Sequence, residues 1–168
     1  MDIFLSGLGG ALVGSLIGFL GAWWLQQRTV RHEEIGAARA LFFEMVANAG
    51  TLRAVAWRES TGRRADTLVR TTWEATQSKV GTLLEPNDFL IVALAYDDLA
   101  LWQTYIEERV GLKSLDPSDK RTLGEAADSI VEAAEKLRDR AWSKRELNNF
   151  PVFRGGAQAA TTEIPASE

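Results

Sequence analysis

His32-Glu33-Glu34 is the first place along the chain where groups able to move a proton or hold a metal stand together. The spacing fits neither chemistry. A di-iron bundle needs Glu-x-x-His on a core-facing helix, and a zinc hydrolase needs His-Glu-x-x-His. His32 is the only histidine, and it reads as a solvated side chain. A second set is all carboxylate: Glu125, Asp128, Glu132, Glu135 and Asp139. These fall off the apolar stripe of their helix and form a solvated face. Asp97-Asp98 follow an apolar stretch, and pairing of one of them with an arginine is a better reading than a catalytic dyad. There is no GxxxxGK[ST] and no GxSxG, and a dinucleotide loop starting at Gly7 would need glycine where Leu12 stands. No catalytic residue, metal ligand or cofactor site is assigned, and the chain is read as a non-enzyme.

Side chains suited to binding are more plentiful. Trp57, Trp73 and Trp102, with Arg58, Arg63 and Arg64, would meet at one end of a helical domain. Trp and Arg dominate binding hot spots, so this group is a candidate partner site. The competing reading, which we favour, is that the tryptophans fill the core. A basic group, Arg28, Arg31, Arg39, Arg138, Arg140, Lys144 and Arg145, would gather at the opposite end. Each such cation attracts an anionic lipid surface by about 1 kcal/mol. Glu44 and Asn48 stand one turn apart beside an apolar stripe, where a buried Asn can set register.

Position depends on the stretch before these groups. Ile3 to Leu25 is 23 residues without a charge, and ~20 apolar residues cross a bilayer core. A cleaved signal needs a basic start and a small-x-small site. Asp2 and Trp23-Trp24 supply neither, so residues 1–25 are read as an uncleaved transmembrane anchor. Trp23 and Trp24 suit the interface. The arginines after the run place the N-terminus outside and the rest inside a cell's inner (plasma) membrane. Gly10, Gly14, Gly18 and Ala22, flanked by Gly7, Ala11 and Ser15, form a smooth ridge. Such ridges let helices approach closely, so a homo-oligomer through this helix is one expectation and a lipid-facing ridge the other.

The remainder of the 168 residues suits one soluble domain, 26–147, and a disordered tail, 148–168. There is no cysteine, and net charge is −4, divided as −1 from Asp2, +3 over residues 26–80 and −6 over 81–168. An acidic chain argues against nucleic acid as partner. Apolar residues recurring at three and four predict helices over about 33–58, 66–84, 88–110 and 117–147. The first continues the anchor if nothing breaks it. The second carries Val69, Trp73, Thr76, Val80 and Leu83, with Asp66 as N-cap. The third opens FLIVALAY, apolar on all sides and too short to span a bilayer by itself, and is expected to be the central helix. The fourth starts at Asp116-Pro117-Ser118-Asp119, a cap, a proline and a carboxylate in helix-starting order. In the tail, Asn149 to Arg154 places two aromatics around a proline, a docking peptide or a segment folded back on the domain.

The expected fold is all-α: one N-terminal transmembrane helix, then an antiparallel up-down four-helix bundle. The general look is similar to small single-pass bacterial membrane proteins with a helical cytosolic domain. The expected function is that of a membrane-tethered adapter presenting its bundle to a protein partner. The alternative is an oligomeric, membrane-active protein of holin or toxin type.

Overall fold

A computed structural model describes residues 2–58, 67–109 and 115–149, with side chains from Ser15 to Asn148. The described residues are all-helical, in five helices: α1 (Asp2–Trp57), α2 (Thr71–Leu83), α3 (Pro86–Glu107), α4 (Pro117–Ala141) and α5 (Lys144–Asn149). No proline precedes Pro86, so nothing interrupts the hydrogen-bond ladder of α1. It runs unbroken for 56 residues, the predicted first helix and the anchor segment being one element. At 1.5 Å per residue that is a rod of roughly 84 Å.

The apolar residues of α1 that recur at three and four, Ala38, Phe42, Met45, Ala49, Leu52 and Ala56, are buried, while Ile35 at the head of the same stripe is only partly so. It packs on the stripe of α4, where Leu123, Ala127, Ile130, Ala134, Leu137 and Ala141 are all buried. Alanines on both sides allow the backbones to approach closely. Ion pairs fix the direction. Arg39 meets Glu146 just past the end of α4, and Arg53 meets Asp128 near its middle, so α1 and α4 run oppositely. Lys79 pairs with Glu33, while Val69 lies beside Asn48, so α2 runs back along α1. Lys136 pairs with Asp88 and Arg109 with Asp119, so α3 and α4 are also antiparallel.

The structure departs from the sequence reading in several places. α3 is not the central helix: α1 and α3 each pack against α4 and α2, and the most extensive contact is between α1 and α4. α3 buries Val92, Ala95, Tyr96, Leu99 and Ile106 but leaves Leu90, Leu94 and Leu101 exposed. All-round apolarity raised the expectation of all-round burial, and only one side is covered. Among the described residues α3 is the one helix long and apolar enough to cross a membrane. Most of Ile3–Leu25 lies where only the backbone is described. The predicted cap Asp66, Arg63 and Arg64, and everything from Phe150 onward, lie outside the described residues.

The start of α2 is set from a distance. The Asn48 amide donates to the Val69 carbonyl at 2.7 Å and accepts the Val69 N–H at 2.8 Å. Gln103 accepts the Leu68 N–H at 2.8 Å. These bonds hold residues 68 and 69 against α1 in a non-helical conformation, so α2 starts only at Thr71, Val69 lies outside the helix and Leu68 is the buried residue. Glu44 then accepts the Thr72 N–H at 3.0 Å. A carboxylate there satisfies an orphan donor and complements the helix dipole. The side chain of Arg70, at the N-cap position, makes no capping bond.

The predicted fourth helix is two. Trp142 turns extended, with φ −123° and ψ 140°, and Ser143 starts α5. The Ser143 hydroxyl accepts the Glu146 N–H at 3.3 Å while Glu146 accepts the Ser143 N–H at 2.8 Å. Ser143-Lys144-Arg145-Glu146 is a capping box, a signal the apolar periodicity hid. Pro86 both ends α2 and opens α3, the first-turn position where its missing N–H costs nothing.

Replacing Asn48 by alanine strands both backbone groups of Val69. The expected cost is roughly 2 kcal/mol, read as a lower thermal midpoint of the full-length protein in detergent. Thr51→Ala, which removes only a hydroxyl bonded within its own helix, should leave that midpoint nearly unchanged.

Candidate functional site

Basic and aromatic side chains gather at the end of the domain nearest the N-terminal run. Arg39 is the hub. Its Nε donates to the Ala141 carbonyl at 3.0 Å, an orphan acceptor at the end of α4. Another guanidinium nitrogen lies 2.8 Å from a Glu146 oxygen. The guanidinium stands 5.1 Å from the centre of the Trp142 ring, a cation–π contact. Phe42 and Phe43 meet the same ring edge-on, at 5.1 and 6.0 Å. The bend at Trp142 is therefore held from α1 by one arginine and two phenylalanines.

Glu146 has three donors facing its carboxylate. The backbone N–H of Ser143, then its hydroxyl, then Arg39 hold the acid down to about 2, from an ordinary 4.5. Glu33 is likewise held below the usual carboxylate range, by the Lys79 ammonium that donates to it and sits beside it.

The seven cations of the basic group divide three ways. Arg39, Arg138 and Arg140 are committed to carboxylates: Glu146, then Glu135 and Asp139, then Glu85. Arg28 lies over the Trp24 ring at 5.5 Å. Arg31, Lys144 and Arg145 are exposed, and no carboxylate among the described residues pairs with them. Thus α1 and the α4–α5 junction do converge, as the sequence suggested, but Arg28 and Arg31 project beyond the junction. Arg31 lies roughly 12 Å along the helix from Arg39, at 1.5 Å per residue. Between α1 and the end of α2 an open groove of about 510 Å³ is lined by Trp23, Gln26, Val30, Arg31, Glu34 and Leu83, among others.

The opposite end looks different from its sequence reading. Trp57 is 87% exposed. Trp73 is buried and stacks on Tyr96, with centroids 4.8 Å apart and planes 8° from parallel, and on Phe89 at 5.8 Å. Trp102 is half-buried and meets Tyr105 edge-on at 5.7 Å. Among the described residues no ring contact joins these three tryptophans, and Trp73 does core work. Arg58 is exposed beside Trp57.

A cluster that the sequence reading missed ties α3 to α4. The Tyr105 hydroxyl donates to Asp119, and the Arg109 Nε donates to the same oxygen at 2.9 Å. Arg109 also stands 3.3 Å from the Tyr105 ring centre. These donors hold Asp119 below the usual carboxylate range, the Tyr105 hydrogen bond contributing most. Desolvation and Asp119 push the Tyr105 hydroxyl up.

Glu44 and Asn48 are the other buried polar residues among those described, and Asn48 is 1% exposed. Tyr96 donates to Glu44 at 3.0 Å. Burial first, then this neighbour, push the Tyr96 hydroxyl up. His32, Asp97, Asp98 and the acidic set of α4 are exposed. Neither Asp97 nor Asp98 pairs with an arginine among the described residues, contrary to the sequence expectation; both stand on the uncovered side of α3. No group of three or more metal-ligating side chains occurs among the described residues.

Comparison with protein-family models, with curated proteins and with solved structures finds no match.

A depressed carboxyl stabilises the fold above its unfolded-state pKa and loses that contribution as pH falls through its folded value. The α4–α5 junction should therefore loosen between about pH 4.5 and about pH 2 as Glu146 takes up a proton. Protection of the amides of residues 143–149 against hydrogen exchange, taken relative to the intrinsic rate at each pH, should fall across that window. Glu146→Gln should show the faster exchange already at neutral pH and lose the acid step.

Proposed function

We propose that this chain is a membrane-tethered, non-enzymatic interaction module. In this reading Ile3–Leu25 crosses the bilayer as a helix with its N-terminus outside. Residues 26–147 form an up-down four-helix bundle held against the cytoplasmic face, where it meets a protein partner. The observation that carries the reading is the course of α1. One helix leaves the domain core and continues with Leu16, Ile17, Phe19, Leu20, Trp23, Trp24 and Leu25 all exposed. Large apolar side chains around the whole circumference of a projecting rod have no protein to cover them, and contiguous apolar surface of that size marks a membrane or partner contact.

Three further features favour it. Trp23 and Trp24 end the apolar run, and Arg28 and Arg31 follow within two turns, the interface order of a membrane helix. Lys144 and Arg145 stand on the same end of the domain, free of carboxylate partners among the described residues. α3, the other long apolar helix, is committed elsewhere. It supplies Tyr96 to the buried Glu44, and five of its residues to the core. Moving it into lipid would strip both. It also carries Asp88, Asp97, Asp98 and Glu107.

A single-helix anchor has a direct test. Membranes containing the full-length protein, washed at alkaline pH, should retain it in the pellet. A fluorescent reporter at the C-terminus should stay intracellular and fold there. Release of intact protein into the wash, or export of the reporter, would overturn the reading.

A further inference from the structure

We infer that the groove between α1 and the end of α2 seats the phosphate of an anionic phospholipid of the cytoplasmic leaflet, with Arg31 as its ligand and Arg28 beside it. The inference rests on the membrane anchoring proposed above and names what that end of the domain holds. A second, smaller hollow of about 320 Å³ adjoins the groove, and the two share Trp23, Gln27 and Arg31. Trp24 and Arg28 complete the second hollow. Along α1 the lining passes from Trp23 through Gln26 and Gln27 to Arg31, from an aromatic ring to amides to a cation. A phospholipid changes in the same order, from acyl chain through esters and glycerol to phosphate.

Height along the helix sorts the cations. The hydrocarbon core is ~30 Å thick and the bilayer ~40–45 Å with its headgroups, so the headgroup layer is roughly 5–8 Å deep on each side. Counted from Leu25, the last residue of the uncharged run, Arg28 stands ~4.5 Å on and Arg31 ~9 Å on, at 1.5 Å per residue. Side chains on a helix lean toward its N-terminus, here toward the bilayer, and the long arginine stem carries the charge further that way. Both guanidinium groups therefore reach phosphate depth. Arg39, ~21 Å from Leu25, lies below that layer and is spent on Glu146 and the Ala141 carbonyl. Arg138 and Arg140, in the last turn of α4, are paired as well. Lys144 and Arg145 adjoin Glu146 at the height of Arg39, so their attraction for the leaflet is screened.

The carboxylates around the groove leave Arg31 unneutralised. Glu34 lies in it, one turn further from the bilayer, and accepts the Thr82 hydroxyl at 2.7 Å. Glu33 is held by Lys79 at 2.8 Å. With Lys79 offsetting Glu33, two arginines face one carboxylate, and the groove keeps a net positive charge. A guanidinium can serve two phosphate oxygens at once, and the amides of Gln26 and Gln27 supply further donors. Charge, depth and the order of the lining all fit a phospholipid headgroup.

The test titrates full-length protein in detergent with an equimolar mixture of phosphatidylglycerol and phosphatidylcholine, read by native mass spectrometry. Retention of phosphatidylglycerol in preference to phosphatidylcholine is expected. Arg31→Gln should weaken that retention roughly fivefold, the scale of one basic group at a lipid surface, and Arg31→Lys should restore part of it. Gln27→Trp fills both hollows without changing charge and should weaken it too. Removing two charges on α5, by Lys144→Gln with Arg145→Gln, should weaken it less than about twofold. Arg31 is exposed, so its variants should keep the thermal midpoint of the parent. Equal retention of the two lipids overturns the site, as does a larger loss from the α5 pair than from Arg31→Gln. Displacement of the lipid by inorganic phosphate at the same concentration would mean a free-anion site, and also overturns it. Alkaline washing of membranes separates the two readings. Protein that stays in the pellet yet shows no lipid preference overturns the headgroup site and leaves the anchor standing, whereas protein released intact overturns the anchor.

Discussion

Two polar side chains on α1, buried in an otherwise apolar core, govern how the rest of the domain is arranged. Asn48 and Glu44 are one turn apart on the edge of the core stripe, both turned inward. A buried amide left unpaired costs more than a made hydrogen bond returns, so Asn48 is stable there only if something supplies both a donor and an acceptor. The backbone of Val69 does. A strand-like pairing at one residue pins the start of α2 to the middle of α1. Glu44 then takes the N-terminal N–H of α2 on one oxygen and the Tyr96 hydroxyl of α3 on the other. One helix thereby fixes the height of two others, and Trp73 stacks on Tyr96 as a consequence.

The two ends of the domain are closed by charge rather than by amides. Near the N-terminal run, Arg39 spans the gap between α1, the last carbonyl of α4 and the capping carboxylate of α5. At the far end, Asp119 gathers Tyr105 and Arg109 at the start of α4. Arginine suits both places because its planar fork can serve a carbonyl, a carboxylate and an aromatic face together. α1 is shared between the polar centre and the first of these ends. A helix that leaves the domain as a rigid rod therefore carries the orientation of the whole domain with it.

Part of this was legible in residue order. The helical content, most of the stripes of α1 and α4, and the start of α4 after Asp116 follow from periodicity and from proline and cap chemistry. So does the likeness of the outer face of α4 to a solvated surface. Glu44 and Asn48 were visible as polar residues beside a stripe, though not as a clamp. The capping box at Ser143 was also present in the letters. Alanines continuing the stripe through Ala141 drew the helix past it, because apolar spacing says nothing about a residue leaving helical φ and ψ.

The sequence by itself determined which segments coil and which faces are apolar, since both depend on neighbours three and four residues away. It also determined that an uncharged run precedes the first charged turn. Only tertiary structure decided that α1 packs most extensively on α4, that Trp73 belongs to the core while Trp57 stands in the open, and that α2 begins at Thr71. Each of these depends on partners distant along the chain, Asn48 with Val69 being the plainest case. Apolarity counts how much of a helix would gain from burial. Which side obtains it is settled when the other helices have been placed.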